Sequence, residues 1–395
     1  MAVKTCVLSF TNPYSGKKDG GKIDIGNRMK ALSLMDTSID LYTKTKENEE
    51  TRPIPKEVKL NRIYTSNQAN KLTYLLGKLP LSVQNKYSKK FAEILKKNKY
   101  DLAILEGEHM FEFVLKDDVR AKRKFIRMHD IESLYRKELS YSTDNKLVSL
   151  LQNRDSKKYK NLEDSIVDYF DKFLFISKSE LDVFSQTYPL GKEKFVWMPP
   201  AVPFKENINY SNAKRNKILY FGDLGVSHNI KGIQWFLEKV YEDLVKLSPE
   251  VQIDIIGNAS DEFKNMLSTY SNVTAHGYVD DLNSFIDEAS CIICPINHGA
   301  GVKIKLVESL GMGKIVIATP KAVEGTDFEN LKELIITEDP MEFSKYCIEV
   351  SKEHEKYHYL AANALNSIKD KYSLEAQGKL IIDLYNEIEG KDFND

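Results

Sequence analysis

The stretch CPINHGAGVKIKLVESLGMGKIVIATPKAVEGTDF, residues 294–328, decides the reading of this chain. An apolar run ends at Pro295, and a loop follows with Gly299, Ala300 and Gly301. A helical pattern then carries Lys303, Lys305 and Glu308. A second glycine turn, Gly311 to Gly313, leads into the apolar run from Ile315. A glycine-rich turn before a helix lets backbone N–H groups approach a phosphate, and the helix dipole favours the anion. Cations in a first helical turn oppose that dipole unless an anion sits in front of them, so the two lysines strengthen the phosphate reading. Glu308, one turn further on, suits two hydroxyl hydrogen bonds of the kind a ribose offers. A plain strand–loop–helix connection with solvated lysines is the alternative; the features taken together favour the phosphate site.

Outward from this stretch, short apolar runs alternate with helical patterns. In the first half, strands are expected at 3–10, 101–105, 124–128, 173–177 and 195–198. In the second they are expected at 217–221, 252–257, 272–276, 291–295, 314–319 and 333–337, with a helix over 232–247. Such alternation implies parallel sheets covered on both faces. The pattern restarts near Lys217, after Pro199-Pro200-Ala201-Val202-Pro203 and a polar stretch. The expected architecture is therefore α/β with two Rossmann-like domains, 1–198 and 217–372, joined by a linker at 199–216. They are expected to face each other across a cleft where ligands bind at the carboxyl ends of the strands. Residues 373–395 are read as a C-terminal helix and tail packing back on the first domain.

With its flanks, the 294–328 stretch resembles the donor site of GT-B fold glycosyltransferases, in the large retaining, group-1-type family of bacterial glycan-building enzymes. The form G-x-G-x-K-x-K-x-x-E is present as Gly299, Gly301, Lys303, Lys305 and Glu308, followed by Gly313 and Glu324-Gly325. YFGDLGVSHNIKGIQWFL and VTAHGYVDDLNSFIDEASCIICP resemble the family's phosphate-loop and nucleobase segments. The resemblance covers about residues 170–390 well and the first half loosely. It implies that Glu308 bonds the donor ribose, that Lys303, Lys305 and Lys231 meet the diphosphate, and that Tyr278 lies near the base. Gly20 and Gly21 resemble the glycine pair that closes over the diphosphate. His129, in RMHDIE, resembles the histidine near the sugar. Two positions depart from the pattern: Ala300 stands where many relatives carry a glutamate, and Asp223 where many carry an arginine.

Read without the resemblance, several of these residues keep two meanings. His129 at a strand end is a substrate contact or a satisfied polar group, and Gly20-Gly21 a closing loop or a surface loop. Glu106 and Glu108 follow a strand and read as solvated loop carboxylates or acceptor contacts. Asp280-Asp281 reads as a helix N-cap rather than a metal pair. The C-x-x-C of Cys291 and Cys294 lacks a second cysteine pair for zinc and places its thiols on opposite strand faces, so buried thiols are expected.

The net charge of −1 conceals +10 over residues 1–200 and −11 over the remainder. Residues 79–100 mix Lys86, Lys89, Lys90, Lys96, Lys97 and Lys99 with Val83, Tyr87, Phe91, Ile94 and Leu95. That pattern reads as a basic amphipathic helix, for an anionic membrane surface or simply a solvated face. The acidic second half argues against nucleic acid. No apolar run reaches membrane-spanning length and the N-terminal residues carry no signal-peptide pattern, so the expected location is cytoplasmic, with peripheral attachment at the inner face of the membrane left open.

The expected activity is sugar transfer from a nucleotide-sugar donor to a glycan or lipid-linked glycan acceptor, with retention and with neither metal nor cofactor. A non-catalytic transferase-like subunit and a sugar-nucleotide epimerase on the same fold are the rivals. The epimerase would need carboxylate–histidine pairs that the sequence does not disclose.

Overall fold

The computed structural model describes residues 2–16, 20–44, 52–63, 77–299 and 301–392. The chain forms two compact units, Met1–Ala201 with Leu374–Asp395, and Val202–Ser373.

The first unit is built on seven parallel strands in the order β3-β2-β1-β4-β5-β6-β7. They are β1 (Val3–Ser9), β2 (Thr37–Lys44), β3 (Val58–Ile63), β4 (Tyr100–Glu106), β5 (Ala121–Met128), β6 (Lys172–Phe175) and β7 (Phe195–Trp197). Val7 pairs with Leu41 on one side and Ile104 on the other. Both faces are covered, which is why residues 6–8 of β1 and 102–105 of β4 are apolar on successive positions rather than alternating. Helix α1 (Gly20–Ser33) follows β1. Helix α2 (Lys89–Lys96) precedes β4. After β5 comes an antiparallel helical hairpin, α3 (Glu132–Tyr141) and α4 (Lys146–Ile166). Ser149 and Ser156 of α4 donate to the carbonyls of Ser140 and Ser133, which fixes the register of the pair.

Two of these strands escape the sequence pattern. β2 reads TSIDLYTK and alternates polar with apolar residues; its Asp40 is satisfied by the Tyr100 hydroxyl at 2.9 Å. β3, at the sheet edge, reads VKLNRI. The expected basic helix over 79–100 is two short helices, Leu81–Gln84 and α2, and its apolar side is not a surface. Val83, Phe91, Ala92 and Leu95 are buried in the core of the first unit.

The second unit carries six parallel strands in the order β10-β9-β8-β11-β12-β13. They are β8 (Lys217–Phe221), β9 (Gln252–Ile256), β10 (Val273–Gly277), β11 (Cys291–Cys294), β12 (Val316–Ala318) and β13 (Ile335–Ile336). Helix α5 (Ser227–Lys239) begins five residues before the expected start and yields at Val240 to a separate helix, Tyr241–Leu247. Helix α6 (Ile304–Gly311) follows β11 through the glycine loop. The polar stretch expected as linker is held to this unit. Tyr210 is buried in its core and the Tyr210 hydroxyl accepts from the Ile315 N–H at 2.6 Å.

Helix α7 (Leu374–Asp392) returns to the first unit. Ile381, Leu384 and Tyr385 enter the core formed by Val7, Leu32, Leu41 and Ile104. Gly378 lets α7 approach α1: a Cβ there would lie 2.3 Å from the Ala31 carbonyl oxygen. Backbone oxygen cannot yield as a flexible side chain can. Gly378→Ala is therefore expected to destabilise the first unit by about 2 kcal/mol, despite alanine's better helix propensity. Urea unfolding followed at Trp197, in a Trp235→Phe background, measures it; unchanged stability contradicts the close approach.

Candidate functional site

In each sheet the chain leaves its first strand in one direction and later returns to the other side. The strand order reverses between β1 and β4 in the first unit, and between β8 and β11 in the second. Loops diverge at such a point and leave a crevice beyond the carboxyl ends of the strands, where ligands bind in open α/β sheets. Each unit has a charged cluster there.

In the second unit the cluster comes from the loop after β8 and the glycine loop after β11. Gly299 and Gly301 have φ of 93° and 75°, a backbone region open to glycine, and they fold the loop back on itself. Lys303 is the N-cap of α6; its ammonium donates to the carbonyls of Gly299 at 3.0 Å and Gly301 at 2.8 Å. Lys305 donates to the Tyr220 hydroxyl and to Asn229 Oδ1, both at 2.8 Å. The two cations therefore have partners within the protein. Burial, reinforced by Lys303, lowers the Lys305 ammonium to about 8. His228, at the start of α5, approaches Gly299: a Cβ on that glycine would lie 3.3 Å from the His228 ring. Burial and the charges of Lys303 and Lys305 hold the His228 imidazole down at about 4. A neutral histidine, two lysines and the uncapped first turn of α5 thus surround the loop, a donor-rich environment suited to an anion.

In the first unit the cluster is almost entirely buried. Asp24 and Arg28 come from α1, Glu106 from the end of β4, and Arg127 and His129 from the end of β5. Arg28 Nε donates to Glu106 at 2.7 Å and Nη2 to Asp24 at 2.5 Å. Arg127 Nη2 donates to Asp24 at 3.2 Å, and Nη1 to the Met198 carbonyl. Burial works to raise the Asp24 and Glu106 carboxyls, but the arginines outweigh it and both lie below their ordinary values. Burial lowers the Arg127 guanidinium to about 10. His129 is the most open member at 28% side-chain exposure, and its Nε2 lies 3.0 Å from Glu106 Oε2. An ionised carboxylate only accepts, so the proton of a neutral ring sits on Nε2 and leaves Nδ1 as an acceptor. Asp24, Glu106 and His129 present ligand atoms within 4.8 Å of one another. Two guanidiniums already occupy the carboxylates, so the set is charge-balanced without a cation.

The expected site residues thus divide between the units. Gly299, Gly301, Lys303 and Lys305 come together. Glu308 lies in the second turn of α6, and Lys231 is exposed in the second turn of α5. Tyr278 is 72% exposed after β10, the edge strand, with β9 between it and β8. Gly20 and Gly21 are the exposed first residues of α1. Ala300 lies outside the described residues. Asp281 caps the helix Leu282–Glu288, its side chain accepting from the Ser284 N–H. Cys291 and Cys294 are buried thiols.

Glu106 and Glu108 are not solvated, being 5% and 1% exposed. Gly107 between them has φ of 84° and turns both carboxyls inward. Burial, with Glu163 and Glu132 nearby, pushes the Glu108 carboxyl well up, the reverse of Glu106. The carboxylate–histidine pair that the sequence did not disclose is Glu106 with His129. Asp24, Arg28, Arg127, His228 and Asn229 were also missed. An arginine inside the strand-like KFIRMH, and His-Asn just before the NIKG lysine, were the available signals.

Residues 215–353 match a family model described as Glycosyl transferases group 1. An uncharacterized 44.6 kDa protein in the cps region of Klebsiella pneumoniae is 28% identical over 384 residues, covering 93% of this chain and 96% of that protein. Among solved structures, TarM of S. aureus superposes with a TM-score of 0.71 at 13% identity, covering 98% of this chain and 99% of TarM. Anabaena HepE in complex with UDP gives 0.63 at 13% identity, covering 98% and 100%.

Two outcomes follow from the electrostatics. Arg28→Met removes one buried cation from Glu106 and Asp24, leaving them only His129 and Arg127, and is expected to cost about 3–5 kcal/mol of first-unit stability by urea unfolding; a loss below about 1 kcal/mol contradicts the buried pairing. Lys305→Met removes a positive neighbour of His228. Because that charge opposes protonation, the His228 titration midpoint in NMR should rise from about 4 toward its unperturbed value of about 6.5. An unmoved midpoint excludes the proximity.

Proposed function

Because the chain belongs to the group 1 glycosyl transferases and is a glycosyltransferase of the GT-B fold, we propose that it moves a sugar from a nucleoside-diphosphate sugar, held by the second unit, to a glycan or lipid-linked glycan. The observation that carries this reading is the donor-rich loop cluster at the strand reversal of the second unit, with Lys303, Lys305 and His228 around Gly299. The named complexes support it: TarM with UDP, fondaparinux and α-GlcNAc-glycerol, and HepE with UDP or UDP-glucose.

In the proposed reaction the bond from the anomeric carbon to the donor phosphate oxygen breaks, and negative charge builds on the leaving diphosphate. Lys305, Lys231, the Lys303 loop and the first turn of α5 stabilise that charge, so no metal ion is required. The acceptor oxygen bonds to the anomeric carbon on the face the phosphate leaves, and its proton passes to a leaving phosphate oxygen. Configuration is thereby retained. Glu308 holds the ribose hydroxyls. Tyr278 is assigned to the base, and Gly20 and Gly21, at the start of α1, keep the diphosphate role that the family resemblance implies. His129, with its ring fixed by Glu106, is the sugar contact of the first unit. The +10 charge of residues 1–200 suits an anionic acceptor environment.

Thermal unfolding against a panel of nucleoside diphosphates and nucleotide sugars tests the donor site. A specific ligand at a hundred times its dissociation constant adds about 2.7 kcal/mol, and no shift with any of them overturns the reading. Glu308→Ala is expected to weaken nucleotide binding by about 1–3 kcal/mol in calorimetry. His129→Ala should leave that affinity intact and lower turnover. Equal loss of both from the histidine variant refutes a role confined to the sugar.

A further inference from the structure

The sequence placed a basic amphipathic surface at 79–100, but there the apolar side chains are core and two of the cations are engaged. Lys96 pairs with Asp118 at 2.8 Å, and Lys86 lies over the Phe10 ring. An exposed apolar and basic surface lies elsewhere, on α4. Its buried side, Asp155, Tyr159, Leu162 and Ile166, packs inward on the first unit. At about 100° per residue, Lys146, Leu147, Leu150, Leu151, Arg154 and Lys157 fall in one arc of about 140° on the other side. Leu147 and Leu150 are each 66% exposed and Leu151 is 38% exposed. Lys146, Arg154 and Lys157 are exposed on the same arc; the one acidic residue of α4 that falls within it, Asp164 near the far end, is paired with Lys160. Asn145 caps the helix from its side chain, so the face is set on a properly started helix.

Leucines in water gain nothing by exposure, and three close together call for an occupant. We propose that this face of α4 docks the protein on an anionic lipid bilayer, with the leucines entering the headgroup–acyl boundary and the three cations meeting lipid phosphates. Charge selects this occupant. A second copy would bring like charges together, and three partly exposed leucines offer far less than the about 800 Å² per partner of a stable interface. A bilayer supplies a continuous apolar layer beneath a negative plane, the complement of leucines flanked by cations. The inference extends the reading of a lipid-linked acceptor. Vesicle binding is measured without donor or acceptor, so its failure leaves the donor-site reading standing.

The test is cosedimentation of the full chain with phosphatidylglycerol-containing vesicles and with pure phosphatidylcholine vesicles. The wild-type protein should bind the anionic vesicles and release them as salt is raised. Leu147→Ser/Leu150→Ser/Leu151→Ser and, separately, Lys146→Ala/Arg154→Ala/Lys157→Ala should each lower that binding about tenfold or more. Both variants alter exposed positions, and an unchanged thermal melt verifies folding. Lys89→Ala/Lys90→Ala/Lys97→Ala, on the first-predicted segment, should bind nearly as the wild type does. Equal binding to both vesicle types, or full binding by the leucine variant, overturns the proposal. So does a wild-type dimer that the leucine variant converts to monomer with vesicle binding unchanged, which would give the face to a second copy.

Discussion

Parallel strands impose the constraint from which the rest of this molecule follows. A parallel neighbour cannot be reached by a tight turn; the chain must cross the sheet through a helix and re-enter at the same end. All strands of a unit then finish at one end, and each sheet has one place where successive crossings part. In the first unit that place lies between β1 and β4, in the second between β8 and β11. Side chains far apart in sequence meet there because the connections leave them nowhere else to go. Asp24, Glu106 and His129 gather in one unit; His228, Gly299 and Lys305 gather in the other.

The two clusters solve the problem of charge in opposite ways. In the first, two carboxylates and two guanidiniums are buried together and offset one another in charge, and Glu106 holds the His129 ring in one orientation. In the second, the lysines lean on neutral oxygens, the carbonyls of Gly299 and Gly301 and the hydroxyl of Tyr220. Those partners orient the ammonium groups without cancelling their charge. Burial first, and the neighbouring positive charges second, hold Lys305 and His228 below their ordinary values.

The second unit was largely legible in the sequence because its signals are local. Glycines with positive φ, a lysine pair and an apolar run on either side lie within one contiguous stretch. The first unit was less so. β2 hides its strand character because Asp40 and Thr43 are polar, Asp40 being satisfied by the Tyr100 hydroxyl of β4. The buried charges come from α1, β4 and β5, and no local pattern links Asp24 to Arg127 across 103 positions. Glu106 and Glu108 looked like solvated loop residues, since nothing in EGEH shows that a glycine turn directs both inward. Amphipathicity misled at one segment, and an exposed apolar face went unread at another. At 79–100 the apolar side is core, whereas on α4 the polar-looking SKKYKNLED carries the inward face and the leucines before it point outward.

The return of α7 to the first unit has a consequence for how the protein is made. Ile381, Leu384 and Tyr385 belong to the core around Val7 and Leu41, yet they leave the ribosome only after Val202–Ser373 has emerged. Domains ordinarily fold in the order of their synthesis. Here the unit begun first is finished last: its sheet must wait, with the α1 face uncovered, while the whole of the other unit is translated. The nascent chain thus carries an exposed apolar surface through much of its synthesis, and the interval is set by translation speed rather than by the intrinsic folding rate of either unit.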